Sequence, residues 1–270
     1  MSDIPARRRL AVTIADDVTT AWLRRYHPNP GRPVRLVCFP HAGGSASFYH
    51  PVSAAHRATA DVVCLQYPGR QDRRLETCHT SIASLADAVV AELRVLSPKP
   101  TVFFGHSMGA ILAYEAALRL ERTLSGPHTV VASGRRAPST VRAETVHARD
   151  DEGVITELRR LNGTVSGLLG DDEILRMALP AIRADYEAIE TYRGAPDARL
   201  KAGITVLTGH ADPLTTTDEA AAWQRHTAGP FRMAGFPGGH FFIAAHQAAV
   251  NAEIARDLAA AHRAAVTPVG

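Results

Sequence analysis

Gly105-His106-Ser107-Met108-Gly109 decides how this chain is read. Before it, Thr101-Val102-Phe103-Phe104 is short, apolar and rich in β-formers; after it, Ala110 to Arg122 (AILAYEAALRLER) is dense in strong helix formers. The pentapeptide is therefore G-x-S-x-G between a strand and a helix, the context in which this motif makes a nucleophile elbow. Its glycines admit a turn that a Cβ would obstruct, and the turn lifts the serine hydroxyl clear of the sheet. The helix that follows aims its N-terminus, with its partial positive charge, at the reacting oxygen.

Working outward, apolar strands alternate with helical periods. Val34–Phe39 reads as a strand that ends at Pro40-His41-Ala42-Gly43-Gly44, and Asp61–Tyr67 as a second that ends at Pro68-Gly69. Thr80 to Leu96 carries apolar residues at 82, 85, 86, 89, 90, 93 and 96, a helical period. After the elbow, His128–Gly134, Gly203–Gly209 and Phe231–Phe236 read as further strands, and Ile243 to His262 as a closing helix. Strands alternating with helices predict a mostly parallel, doubly wound α/β sheet, and near-continuous apolar strands fit burial on both faces. Between Gly134 and Gly203 the chain is longer than one crossover needs. It reads as three helices, Asp151–Arg160, Asp171–Leu179 and Pro180–Tyr192, with Gly163, Gly167 and Gly170 between the first two. An insertion there sits over the strand C-termini, where open α/β sheets bind ligands, so it reads as a lid; the alternative is a helical elaboration without a gating role.

The elbow and the alternation together predict the α/β-hydrolase fold, whose catalytic residues follow in the order Ser, Asp or Glu, His. Asp212, in Gly209-His210-Ala211-Asp212-Pro213, lies three residues past the fifth strand. His240, in Gly238-Gly239-His240-Phe241-Phe242, follows the last strand on a glycine-led loop. Ser107 is the expected nucleophile, His240 the general base and then acid, and Asp212 the group that fixes the imidazole tautomer. Asp197 precedes the fifth strand and Asp218 fits a helix start, so both are weaker candidates for the acid. His106 and His210 read as structural or hydrogen-bonding neighbours. One oxyanion donor is expected from the Met108 N–H and the other from Ala42 N–H, with Gly43 second. His41 either braces that loop or hydrogen-bonds near the site.

Composition excludes several classes. The chain has 270 residues, enough for one large domain; 46% are hydrophobic and 21% charged, an ordinary globular composition. A net charge of +3 is too mild to point to nucleic acid. No apolar run reaches the roughly 18 residues of a membrane span. Arg7-Arg8-Arg9 leads only into a short apolar stretch that meets Asp16-Asp17, so no signal-peptide pattern is present and a cytoplasmic location is expected. The three cysteines, Cys38, Cys64 and Cys78, form no C-x-x-C pair and predict neither a disulfide framework nor a metal site.

Several segments resemble type II thioesterases, the editing enzymes of polyketide and nonribosomal peptide assembly lines. They are Arg35–Tyr49 (RLVCFPHAGGSASFY), Tyr67-Pro68-Gly69-Arg70 with Arg73 and Glu76, Gly105–Gly109 with Met in fourth place, and Gly239-His240-Phe241-Phe242. Leu179–Tyr192 (LPAIRADYEAIETY) and Trp22–Tyr26 resemble that family too, and the likeness runs over about residues 22–260. It implies a stand-alone enzyme that hydrolyses acyl thioesters from the phosphopantetheine arm of acyl or peptidyl carrier protein domains, with no cofactor or metal of its own and as a monomer. It carries over the same triad, Ser107, Asp212 and His240. A generic serine esterase or acyltransferase would use the same residues, and a non-catalytic receptor of this fold would usually lack one of them. Because such carriers are commonly acidic, Arg70, Arg73 and Arg74 after the second strand and Arg135-Arg136 after the fourth are expected docking cations; the alternative is ordinary solvated charge. The expected division is a poorly ordered extension over 1–21, a hydrolase domain over 22–262 with its lid over about 138–198, and a tail over 263–270.

Overall fold

The computed structural model describes residues 18–123, 126–162 and 172–266. Among these, one sheet of seven strands is formed by β1 (Leu23–Arg24), β2 (Arg35–Phe39), β3 (Asp61–Leu65), β4 (Thr101–His106), β5 (Thr129–Ser133), β6 (Gly203–Gly209) and β7 (Phe231–Phe236). Their order is β1-β3-β2-β4-β5-β6-β7; β1 runs antiparallel to β3 and every other pairing is parallel. The helices are α1 (His50–His56), α2 (Ile82–Leu93), α3 (Met108–Glu121), α4 (Asp151–Asn162), α5 (Asp172–Glu190), α6 (Thr217–Ala221), α7 (Phe242–Ala245) and α8 (Gln247–Val266).

The sheet is apolar on both faces because its residues alternate between two cores. Val37, Phe39, Val63, Leu65, Phe103, Val130 and Val206 pack on one side under α2 and α3. Leu36, Cys38, Val62, Cys64, Phe104, Val131 and Leu207 pack on the other, against Val250, Ile254 and Leu258 of α8. Cys38 and Cys64 are buried there as free thiols. Helix α2 starts at Ser81, whose side chain accepts the Ser84 N–H at 3.2 Å, and α6 starts in a capping box between Thr216 and Glu219.

Three elements depart from the sequence reading. Strand β1 was not expected; two residues are too few for a periodic signal, and it is held by tertiary contacts. Leu23 is fully buried, Arg25 donates to Asp61 at 2.8 Å, and Thr20 donates to Glu92 at 2.7 Å. Residues 18–21 of the expected extension thus lie against the domain, while residues 1–17 are outside the described residues. The two helices expected over Asp171–Leu179 and Pro180–Tyr192 are one, α5, running through Pro180. Proline removes one helical donor and crowds the carbonyl four residues back, but Pro180 is exposed, so water can serve that carbonyl. The opposite stripe, Leu175, Leu179 and Ile182 with Tyr186, is unbroken across it and packs on Val154, Ile155 and Leu158 of α4. Gly163, Gly167, Gly170 and Asp171 are outside the described residues. The closing helix begins as a short turn, α7, before α8, which continues to Val266.

Candidate active site

At the elbow, β4 ends and α3 begins on either side of Ser107. Ser107 has φ 55° and ψ −119°, a backbone conformation an L-residue adopts only when its surroundings impose it. Here the imposing contacts are backbone on backbone. A Cβ on Gly105 would lie 2.1 Å from the Gly109 carbonyl oxygen, and a Cβ on Gly109 would lie 2.0 Å from that of Phe39. The Ser107 N–H donates to the Ser133 carbonyl at 2.8 Å, tying the turn to the end of β5.

The two residues expected to partner Ser107 meet it. His240 Nε2 is 3.0 Å from Ser107 Oγ, and His240 Nδ1 is 2.9 Å from Asp212 Oδ2 and 3.1 Å from Oδ1. The acid and histidine loops are laced together: His210 N–H donates to the Phe236 carbonyl at 2.8 Å and Ala211 N–H to that of Gly238 at 2.9 Å. Asp212 Oδ1 also accepts the Leu214 N–H at 2.9 Å, which holds the carboxylate while it faces the imidazole. His240 and Asp212 are buried. Of the other candidates, Asp218 sits in the first turn of α6 and His210 lies across Gly235 of β7, both apart from this line.

Rings wall the histidine. Phe241 packs edge-on against His240 at 5.1 Å and against His41 at 5.0 Å between centroids. His106 is fully buried, with Nδ1 2.9 Å from Ser133 Oγ; burial and the neighbouring His240 and His41 hold its pKa well below the ordinary value. His41, which borders the cavity, is pushed down to about 3 by burial, His240 and Arg70. Both imidazoles are therefore neutral at pH 7. His41 braces the loop through Phe48, 4.6 Å away, and Phe241.

The loop 40–44 faces the elbow. Met108 occupies the first helical position of α3, where a backbone N–H has no acceptor within the helix. Gly43 N–H is already committed: it donates to Asp185 Oδ2 at 2.8 Å. Gly44 N–H is committed too, to the His41 carbonyl at 2.9 Å, so neither glycine of this loop has a free donor. Asp185 was not anticipated as a site residue, although it lies in the segment LPAIRADYEAIETY. It stands on α5, is 1% exposed, and also accepts a hydrogen bond from Arg70. Beside it, a Cβ on Gly43 would lie 2.7 Å from Ile182 Cγ1. The lid helix is thus seated directly on the loop opposite Ser107.

Ser107 and His240 open into a cavity of about 1200 Å³ between the strand ends and the lid helices. Its walls include Phe48 and Phe241 below and Leu158, Leu175, Ile182 and Tyr186 above. That is room for a sizeable apolar chain bound next to an activated hydroxyl, which is what acyl transfer to serine requires.

The arginines expected as docking cations mostly cannot dock anything. Arg70, Arg73, Arg135 and Arg136 are each no more than 6% exposed. Arg70 is bound to Asp185, Arg73 to Glu76 at 2.5 Å and Arg136 to Glu144 at 2.5 Å. Of the five, Arg74 alone is exposed. Among the described residues there is no group of three side chains able to hold a metal ion, and no helix long and apolar enough to cross a membrane.

Comparison with known proteins agrees with this geometry. A family model described as "Thioesterase domain" matches residues 34–259. The "Probable cadicidin biosynthesis thioesterase" of Streptomyces griseus is 63% identical over 252 residues, 93% of this chain and 70% of that protein. Thioesterase PikA5 of Streptomyces venezuelae is 46% identical over 224 residues, 82% of this chain and 80% of that protein. The solved structure of the type II thioesterase BorB from the borrelidin biosynthetic cluster superposes with a TM-score of 0.85 at 46% identity, covering 89% of this chain and 99% of that one.

Proposed function

We propose that this chain, which belongs to the thioesterase-domain family, hydrolyses acyl groups from the phosphopantetheine arm of acyl or peptidyl carrier protein domains. In this role it clears aberrant or stalled chains from polyketide or nonribosomal peptide assembly. The observation that carries the reading is the line from Ser107 Oγ through His240 to Asp212, at 3.0 and 2.9 Å, opening into the large cavity under the lid.

In this mechanism His240 Nε2 takes the Ser107 proton as Oγ attacks the thioester carbonyl, and Asp212 holds the Nδ1–H and stabilises the imidazolium. The oxyanion is received by the N–H groups of Met108 and Ala42. The tetrahedral species collapses, the C–S bond breaks, and His240 returns its proton to the departing pantetheine thiol. Water, deprotonated by His240, then attacks the acyl-serine and releases the acid. No step calls for a cofactor or metal. The same proposal treats residues 22–262 as one catalytic domain with its lid over about 138–198, acting as a monomer in the cytoplasm.

The test is Ser107→Ala against a carrier-bound acyl thioester, read by intact-protein mass. Loss of a triad serine lowers kcat by roughly 10⁶, so the folded variant should leave the loaded carrier unchanged. Wild-type activity in that variant sinks the assignment. An oxygen ester of the same acyl group cleaved faster than the thioester would favour a generic esterase instead.

A further inference from the structure

We propose that Arg135 is the recognition group for an acyl chain that carries its own carboxylate, the mono-thioester of a dicarboxylic acid. This rests on the thioesterase reading above and names a substrate class for the same cavity.

Arg135 stands close to the nucleophile. Ser133, two residues earlier, pairs with His106 and accepts the Ser107 N–H. The backbone is fixed there. Gly134 has φ 58°, and a Cβ on it would lie 2.5 Å from the His106 ring; the Arg135 carbonyl accepts the Trp223 Nε1–H at 2.8 Å. The side chain lines the cavity with Ser107 and His240 and is 6% exposed.

Among the described residues its guanidinium makes no salt bridge or hydrogen bond, although the charges of Glu144 and Asp212 reach it. Nε is buried without a partner, and among the described residues no acceptor bonds to the other nitrogens. Among the described residues, the carboxylates around the cavity hold other partners. Glu144 holds Arg136, Glu157 holds Arg160 and Arg149, and Glu219 holds Arg142. Glu190 accepts from His147 and from the Val146 N–H, Asp185 from Arg70, and Asp212 faces His240. Burial pushes the Arg135 pKa down to about 9, with Arg136 adding to it and Glu144 and Asp212 partly opposing it, so the group is still charged at pH 7.

A buried cation that is left unpaired is costly, and such groups concentrate at functional sites. The ligand that relieves it is an anion with planar oxygens, which a guanidinium binds as a fork. Two parts of the substrate could supply one: a carboxylate on the acyl chain, or the phosphate of the pantetheine arm. The depth of Arg135 favours the first. A residue this buried beside the elbow meets atoms a few bonds from the thioester, whereas the phosphate lies at the far end of the arm, on the carrier's surface.

The probes are N-acetylcysteamine thioesters, which have no phosphate. Malonyl, succinyl and glutaryl thioesters are compared with their terminal methyl esters, and butyryl serves as the neutral reference. For at least one chain length, wild type should show a kcat/KM on the order of 10- to 100-fold above the methyl ester. Arg135→Met should bring that ratio to about one, by lowering turnover of the carboxyacyl substrate more than that of butyryl, and leave Tm unchanged or raised, because it removes a buried charge that has no ion-pair partner among the described residues. Arg135→Lys should recover part of the ratio. Three results would overturn the proposal: no acid preferred over its methyl ester by wild type, an equal loss on butyryl and carboxyacyl substrates, or an effect confined to phosphopantetheine-borne substrates. Failure of wild type on every thioester, butyryl included, would instead refute the thioesterase reading and this subsite with it.

Discussion

Replacing Asp185 by Ala separates two things the lid helix does at once. The carboxylate accepts the Gly43 N–H at 2.8 Å and binds the Arg70 guanidinium, with both side chains almost wholly buried. Removing one member of a buried ion pair costs about 3–5 kcal/mol, since the partner charge is left without compensation. The 1200 Å³ cavity beside it can admit water to Arg70, so the loss should fall near the lower end, about 3 kcal/mol. For a chain of this size that is a drop in Tm of roughly 6–12 °C. Catalysis should suffer separately. Outright removal of an oxyanion donor costs about 10²–10³ in kcat. Ala42 N–H is not removed here but loses the anchor on the next residue, so a fall of about 10- to 100-fold is expected, in kcat more than in KM. Asp185→Asn, which keeps an acceptor for Gly43 but turns an amide toward Arg70, should be intermediate in both. The assays are thermal melting, steady-state hydrolysis of a butyryl thioester, and the rate of fluorophosphonate labelling of Ser107, which also needs the oxyanion site. A folded Asp185→Ala enzyme that keeps kcat and labelling rate within about twofold would refute the idea that α5 orders loop 40–44.

Other expectations follow from the same contacts. His106 and His41 have folded pKa values below the unfolded value near 6.5. Each stays neutral in the fold while the unfolded chain takes up a proton, so stability is full above about pH 6.5. Below that it falls by up to about 1.4 kcal/mol per pH unit for each histidine, until the folded value is reached. Urea midpoints at pH 7, 6 and 5 should show this, His106→Asn should lessen the slope without abolishing it, and a wild-type midpoint that does not move would contradict it. Gly109→Ala places a methyl 2.0 Å from one backbone oxygen and 2.7 Å from another, neither of which can swing away. A loss of more than about 4 kcal/mol is expected, and a soluble variant with the wild-type Tm would be inconsistent with the elbow geometry. Arg136→Ala should lose about 3 kcal/mol of stability with its Glu144 partner, yet leave the salt dependence of carrier-bound hydrolysis as it was. Arg74→Glu should do the reverse, weakening KM for a carrier-bound thioester at low salt but not for a small one; equal effects of both variants would put docking elsewhere.

What could be read in the sequence, and what could not, divides by the range of the interaction. The parallel strands were legible because burial on both faces makes each an uninterrupted apolar run, and the elbow because its two glycines answer to contacts inside one turn. The Ser107–Asp212–His240 order followed from strand ends, which are local features. Strand β1 was not legible, since its two residues owe their place to pairing with β3. Pro180 misled for a related reason. A local rule ends the helix there, but the apolar stripe Leu175, Leu179, Ile182, Tyr186 lies on the face away from the proline, and burial of that stripe on α4 outweighs the one lost hydrogen bond. The arginines show the limit most plainly. In sequence Arg70, Arg135, Arg136 and Arg74 are equivalent basic residues after strand ends. In the fold Arg70 finds Asp185, 115 positions away, Arg136 finds Glu144, Arg74 stays in solvent, and Arg135 makes no ion pair among the described residues. Their chemistry depends on which carboxylates are still free when the lid is seated on the sheet. Along the chain the five arginines form one basic group; in the fold their counter-ions divide them into ion-paired side chains, an exposed Arg74, and a buried Arg135 with no ion pair among the described residues.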